Sequence, residues 1–241
     1  GMFGLAKMWR TFANIFTDIG AAFTGEGSQE YMEGKGWYEW PLKHIPIFMG
    51  VTFFAMILIF TIGGFSPLAS LVFALVLILT TFMLGAIAVR VMGETGIEPV
   101  SGTSFIVLLM LLGVFLNAQE LLSLNTQDAV LLGLVGTTVF GSAISMSGTV
   151  IGDYKNSLYI GNRPYHISKG NIMGVVPGAI IGAGVAIFLS IQLAEGRIQL
   201  IAPQANAFAT FSVIFAEGEG DLILLALGFL LGMFVEWATG M

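Results

Sequence analysis

The sequence predicts an all-α, polytopic helical membrane protein. Of its 241 residues, 56% are hydrophobic and only 10% are charged, whereas a soluble domain carries about 25% charged residues. The apolar runs are continuous and reach the ~20 residues that a membrane-spanning helix needs, so they do not resemble the alternating strands of a barrel. This composition excludes a soluble enzyme, a nucleic-acid-binding protein and a disordered chain. Because cysteine is absent, disulfides and thiolate metal sites are excluded too.

The first 24 residues are predicted to form an amphipathic helix lying on the membrane surface. Large apolar side chains recur there at helical spacing, and the charged side chains fall mostly on other faces. The apolar positions are Leu5, Trp9, Phe12, Phe16, Ile19 and Phe23. The segment lacks the unbroken apolar core of a signal peptide. A polar, glycine-containing linker is expected at 25–41, followed by a transmembrane domain at 42–241.

Gaps between charged residues locate about six spans. No Asp, Glu, Lys or Arg occurs from His44 to Val89, which is enough for two crossings at ~20 residues each. The break between them falls at Gly63 to Pro67, where turn-forming residues cluster. The predicted spans are 45–62, 67–92, 101–117, 129–148, 170–193 and 221–240. A further apolar run at 198–216 is interrupted by proline and polar residues, so a full span, a re-entrant hairpin and an interfacial helix all remain open for it.

Basic residues predict the orientation of the spans. With six crossings, eight of the nine Lys and Arg residues fall on one side and only Arg197 on the other. The eight are Lys7, Arg10, Lys35, Lys43, Arg90, Lys155, Arg163 and Lys169. Because positive charge is retained inside, we expect a multi-pass protein of the cytoplasmic membrane, surrounded by lipid, with its N-terminus in the cytoplasm.

Glycine recurs at every fourth residue of the fifth predicted span. Gly170, Gly174, Gly178 and Gly182 follow one ridge of the helix, where missing side chains let another backbone approach closely. The ridge predicts a helix-packing seam or, alternatively, a sliding surface or substrate path. Pro177 lies within it and is expected to interrupt the helix, as helices at transporter substrate sites often are interrupted.

Two predicted cytoplasmic loops carry most of the remaining charge. The loop after the second span holds Arg90 and Glu94, four residues apart and able to pair. The loop after the fourth span holds Asp153 and Lys155 among several tyrosines, a pattern that is also typical of a simple positive-inside loop. The two histidines have no second ligand at metal spacing, so neither a metal nor another cofactor is expected. No catalytic constellation or phosphate-binding loop is present, and an enzyme is not expected.

Three segments carry a resemblance to a known family. Gly93 to Gly102 reads GETGIEPVSG, Gly141 to Gly148 reads GSAISMSG and continues to Asp153-Tyr154-Lys155, and Ala202 to Ala205 reads APQA. They are similar to the G-E-x-G-I-x-P-V-x-G turn, the small-residue helix with its D-x-K, and the A-P-Q-A segment of the oligopeptide transporter (OPT) family. That family includes the yellow stripe-like metal-chelate transporters. The order and spacing agree over roughly residues 40–240.

The resemblance implies a secondary transporter. Members of the family take up small peptides or metal–chelate complexes with a coupled cation, usually a proton, by alternating access between repeats. The substrate path is then expected near the interrupted segments, and Glu94 and Asp153 are candidates for charge pairing or coupling. The residues proposed for the path or the coupling are Glu94, Ser101, Asp153, Lys155, Pro177, Pro203 and Gln204.

Departures from the family pattern leave a second function open. Asn156 and Ser157 follow Lys155 where the family has Thr-Gly, and Tyr165-His166 stand where it has a basic pair. Family chains are more than twice this long, and this one resembles their later half. We therefore expect a half-transporter that needs a second copy or a partner chain. The alternative is a non-transporting subunit of a larger complex, packing through its glycine-rich face.

Overall fold

A computed structural model describes most of the chain between Tyr31 and Gly218. The described residues are 17, 31–32, 36–41, 44–96, 98–199, 202–218, 227–228, 230–232, 234–235 and 238. The amphipathic helix predicted at 1–24 and the last span predicted at 221–240 lie outside the described residues, apart from isolated positions.

The described chain consists of a short hairpin and seven helices. Strands β1 (Tyr31–Met32) and β2 (Gly36–Trp37) pair antiparallel, with Tyr31 opposite Trp37. The helices are α1 (His44–Ile62), α2 (Pro67–Thr95), α3 (Val100–Asn117), α4 (Gln119–Leu122), α5 (Thr126–Tyr159), α6 (Pro164–Ala194) and α7 (Pro203–Ala216). Among the described residues, α1, α2, α3, α5 and α6 are long and apolar enough to cross a membrane. The predicted all-α, polytopic membrane class is confirmed.

Helix ends follow ordinary capping chemistry. Ser66 precedes α2, accepts a hydrogen bond from the Ala69 amide at 3.1 Å, and donates to the Leu122 carbonyl at 2.6 Å. Pro67 occupies the first position of α2, where a missing N–H costs nothing. At the start of α5, the Asn125 side chain accepts from the Asp128 amide at 2.7 Å. The two hydrogen bonds of Ser66 therefore fix the short segment between α1 and α2.

Helices α5 and α6 are longer than the spans predicted from charge gaps. Helix α5 continues to Tyr159, so residues 149–159, including Asp153 and Lys155, are helical and not part of a loop. Helix α6 already begins at Pro164 and runs through Pro177 without interruption. The prediction that Pro177 breaks the helix is wrong. One proline removes a single backbone hydrogen bond, and the flanking turns retain theirs.

Helix α7 corresponds to the ambiguous run at 198–216. Its 14 residues give a length of about 21 Å, compared with about 30 Å for the hydrocarbon core of a bilayer. Phe105 of α3 packs edge-on against Phe211 at 4.7 Å and stacks on Phe208 at 6.1 Å. The length favours a re-entrant or interfacial element over a full span.

The chain divides into two compact units. One comprises 1–27, 42–148 and 207–241, and the other 28–41 and 149–206. The core of the first unit surrounds Phe73 of α2, whose ring lies 4.1 Å from that of Phe60 and 6.4 Å from that of Phe115. Other fully buried side chains of this core include Leu77, Leu111, Leu122, Leu132, Phe140 and Ile144.

The second unit contains the hairpin and α6. The Tyr165 amide donates to the Tyr38 carbonyl at 3.1 Å, and Trp40 stacks on the Tyr165 ring at 5.3 Å. The Tyr154 hydroxyl is 2.6 Å from that of Ser168. Beyond this end, α6 is exposed at every position from 172 to 190. The start of α6 is thus held by aromatic and hydroxyl contacts, and its apolar remainder is uncovered in the described chain.

Candidate functional site

Glycine and proline lie at the two ends of the connection between α2 and α3. Gly96 adopts the left-handed conformation, with φ of 74°, and its N–H bonds the Met92 carbonyl at 2.8 Å to end α2. Pro99 then precedes α3, and its carbonyl accepts from the Thr103 hydroxyl at 2.7 Å. Glycine is required at position 96 because other residues are strained at this φ. Glu98 lies between the end of α2 at Thr95 and the start of α3 at Val100.

One face of α5 packs closely against α2 and α3 through small residues. An added Cβ at Gly133 would lie 2.9 Å from Leu112 Cδ2, and one at Gly136 would lie 2.9 Å from Phe73 Cε2. A Cβ at Gly141 would lie 3.0 Å from Ser104 Oγ. No side chain fits at these contacts without a shift of the neighbour. We call this face, Gly133, Gly136, Gly141, Ser145 and Gly148, the small-residue face of α5.

Glu98 rests on the end of this small-residue face. Its carboxyl Oε2 accepts a hydrogen bond from the Ser145 hydroxyl at 3.1 Å. Its Oε1 occupies the space that a side chain at Gly148 would need, and Met92 Sδ lies 2.8 Å from the same position. The side chain is partly buried. A carboxyl group is thus packed directly against a helix backbone, with a serine hydroxyl as donor.

Ser104 is a second polar group on the α3–α5 contact. Its side chain is 4% exposed, and its hydroxyl has no hydrogen-bond partner among the described residues. It faces α5 at Gly141, one helical turn before Ser145. The hydroxyls of Ser104 and Ser145 and the carboxyl of Glu98 therefore lie along two turns of the small-residue face. Such groups can exchange protons or hold a water molecule.

The two segments that meet here are those that carried the family resemblance. Residues 7–239 match the family model described as OPT oligopeptide transporter protein. The chain belongs to the OPT oligopeptide transporter family. No curated protein and no solved structure gave a match. The family consists of oligopeptide transporters and not of enzymes. As a member, the chain is a multi-pass membrane transport protein.

The OPT turn and the OPT small-residue helix form one interface in this structure. Glu98 belongs to the turn segment Gly93 to Gly102, and Ser145 and Gly148 belong to the helix segment. Glu98 and Ser145 are 47 residues apart in sequence. Their contact explains physically why small residues are present at these positions.

The predicted site residues lie at several separate places. The backbone of Glu94 is in the last turn of α2, and its side chain is outside the described part of the structure. Ser101 is exposed in the first turn of α3. Asp153 is partly buried and Lys155 exposed near the C-terminal end of α5. Their roles in the path or the coupling stay predictions.

The remaining predicted residues are exposed. Pro177 lies in the middle of α6, and Pro203 and Gln204 form the first turn of α7. The predicted seam of Gly170, Gly174, Gly178 and Gly182 is exposed as well, and no described atom from outside its own helix turn lies within 4 Å of an added Cβ at any of the four. This ridge therefore packs against nothing in the described chain.

Glu98, Ser104 and Ser145 were missed by the sequence argument. Glu98 falls at an open position of the family's turn pattern, so the motif directed attention to Glu94. A usable signal did exist, because Gly141, Ser145 and Gly148 recur at helical spacing of four and three, which defines one narrow helix face. Across the described residues, no three His, Asp or Glu side chains gather as metal ligands do.

Proposed function

We propose that this OPT protein is a secondary, proton-coupled transporter of small peptides or metal–chelate complexes that works by alternating access. The observation that carries the proposal is the match to the family over residues 7–239. The packing of the family's turn segment against its small-residue helix supports it. We place the protein in the cytoplasmic membrane with its N-terminus inside, on the strength of the basic residues.

The interface between α3 and α5 supports a mechanism with moving helices. At its glycines α5 contributes no side chain of its own, so only side chains of the partner helices enter the contact. At Gly133 and Gly141 the contacting partners are the side-chain ends of Leu112 and Ser104. Such a contact resists sliding less than interdigitated leucines do. We infer that this is where one helix pair shifts against the other during the cycle.

The substrate path is proposed near Ser101, Pro177, Pro203 and Gln204. The exposure of Ser101 at the start of α3 and of Gln204 at the start of α7 supports this, because polar groups at helix N-termini suit the charged ends of peptides and chelates. Pro177 leaves one α6 carbonyl without its usual helical donor. That carbonyl is free to bind a substrate amide or ammonium group.

We further infer that a second copy of the chain completes the pathway, joined through the glycine ridge of α6. Support comes from the exposure of the whole ridge and of the apolar residues beside it. Gly178→Leu places a large side chain on the ridge, and we expect it to abolish a dimer seen by cross-linking in lipid vesicles. Val176→Leu, on the opposite face of α6, is the matched control and should leave the dimer intact.

Uptake by reconstituted protein tests the proposed function. Purified protein in proteoliposomes is given a radiolabelled tetrapeptide or a radiolabelled ferric chelate, with and without an inward proton gradient. We expect accumulation of at least one probe above equilibrium, abolished by a protonophore. If folded protein accumulates neither probe beyond protein-free vesicles, the alternative of a non-transporting membrane subunit replaces this proposal. The uncovered apolar face of α6 is the observation that favours that alternative.

The coupling roles of Glu94 and Asp153 need their own variants. Glu94→Gln and Asp153→Asn remove one negative charge each with little change of shape. If either residue couples, its variant loses gradient-driven accumulation, whereas full proton-driven uptake by both variants excludes them. Lys155→Gln, near the C-terminal end of α5, removes the other charge of the D-x-K segment and tests whether that charge contributes to coupling.

A further inference from the structure

We propose that Glu98 is the carboxyl group that binds the coupling proton. This inference rests on the proposed function, since it assigns a residue to its coupling step. Glu98 lies in the turn between α2 and α3, with its carboxyl held against α5 by Ser145 and Gly148. It therefore touches both sides of the contact at which we infer that helices move.

The surroundings of the Glu98 carboxyl are uncharged in the described structure. Helix α2 contributes Met92, α5 contributes Ser145 and Gly148, and the first turn of α3 contributes no titratable side chain. No Lys, Arg or His among the described residues forms an ion pair with Glu98. Within the described chain the carboxyl thus has a hydroxyl, a thioether and a helix backbone as neighbours and no cation, and a proton is the smallest ion that can bind there.

Ser145 gives the protonation state a structural consequence. An ionised carboxyl only accepts hydrogen bonds, and the Ser145 hydroxyl donates to it. A protonated carboxyl can also donate, so the Ser145 hydroxyl can reverse its role. The O–H bond that forms when the carboxyl takes a proton from water breaks again when the proton is released, and the role of the Ser145 hydroxyl changes with it.

The Ser104 hydroxyl supports this assignment independently. It is buried, has no hydrogen-bond partner within the described part of the chain, and faces the same helix one turn from Ser145. A buried hydroxyl that bonds nothing is costly, and it is explained if it bonds a transient water or proton carrier during the cycle. Gly141 keeps the space beside it free of a side chain. The α3–α5 contact therefore has a second proton-exchanging group in line with Glu98.

Comparison of driven and undriven transport tests the proposal. Glu98→Gln keeps the shape and the hydrogen bond but cannot ionise. Glu120→Gln, on an exposed carboxylate of α4, is the matched control. Each protein is reconstituted, and two rates are measured with the radiolabelled tetrapeptide or ferric chelate. One is accumulation under a proton gradient, and the other is counterflow exchange without a gradient.

We expect Glu98→Gln to lose gradient-driven accumulation by about tenfold or more, within the range of ordinary coupling free energies. Counterflow should persist, Glu98→Asp should restore part of the proton drive, and Glu120→Gln should match the wild type. Equal proton-driven accumulation by Glu98→Gln and wild type overturns the assignment. The assignment is also overturned if Glu98→Gln loses both accumulation and counterflow and Glu98→Asp restores neither, because that result indicates a structural role. If the wild type itself transports neither probe, the proposed function fails first.

If Glu98→Gln does not fold, Ser145→Ala provides the second test. It leaves the carboxyl in place and removes the hydroxyl that donates to it. We expect the dependence of the initial uptake rate on external pH to shift relative to wild type. A profile identical to that of the wild type counts against the proposal.

Discussion

Two glycine-rich helices of this chain behave in opposite ways. On α5, glycines 133, 136, 141 and 148 are covered by side chains from α2, α3 and their connecting turn. On α6, glycines 170, 174, 178 and 182 face nothing in the described chain. Small residues permit a neighbour to approach closely on both helices, but within the described chain only the α5 glycines have such a neighbour. Glycine spacing thus identifies a surface that can be packed, and the neighbours decide whether it is.

The largest expected difference concerns phenylalanines beside the two helices. Phe73 is fully buried against Gly136, and Phe188 of α6 is exposed. We expect Phe73→Ala to lower the free energy of unfolding by about 3–5 kcal/mol, since it leaves a cavity in the core. Phe188→Ala should change it little. Denaturation in mixed micelles measures both, and equal effects would contradict the contrast.

Adding volume to the glycines should give a smaller difference. Gly136→Val forces a side chain into Phe73 and Leu111, and we expect a loss of about 1–3 kcal/mol in the free energy of unfolding from overpacking. Gly178→Val meets no described atom and should leave the stability of the single chain unchanged. The same denaturation experiment compares the pair. A stable Gly136→Val protein would show that α5 is less tightly packed than described.

Removing the serine donors should have the smallest effect. Ser145 bonds the Glu98 carboxyl, whereas exposed Ser142 bonds only the Thr138 carbonyl of its own helix. We expect Ser145→Ala to cost about 1 kcal/mol of folding stability, the usual contribution of one hydrogen bond. Ser142→Ala should cost less. If Ser142→Ala lowers folding stability as much as Ser145→Ala does, the hydrogen bond to Glu98 contributes no more than a bond within one helix.

Much of the helix pattern could be predicted from the sequence because charge gaps mark spans directly. The spans predicted at 45–62 and 101–117 differ by one residue at most from α1 and α3. The extension of α5 to Tyr159 could not be predicted this way, because Asp153 and Lys155 end an apolar run without ending a helix. Charge marks where the membrane stops, whereas backbone capping marks where the helix stops.

The candidate site was less predictable than the spans. The strict four-residue repeat on α6 is the more regular of the two glycine patterns, and it directed attention away from α5. Spacing cannot say which side chains will cover a face. Glu94 and Glu98 are both acids in one turn, and only the fold places Glu98 against Ser145 and Gly148.

The most direct measurement compares Gly148→Ala with Gly113→Ala in the same proteoliposome assay. The quantity is the ratio of proton-driven accumulation to counterflow exchange of a transported probe. A methyl group at Gly148 displaces the Glu98 carboxyl, and one at Gly113 of α3 meets no described atom. We predict a lowered ratio for Gly148→Ala and a wild-type ratio for Gly113→Ala. Equal ratios in both variants would contradict the claim that the contact of α5 with Glu98 carries the coupling.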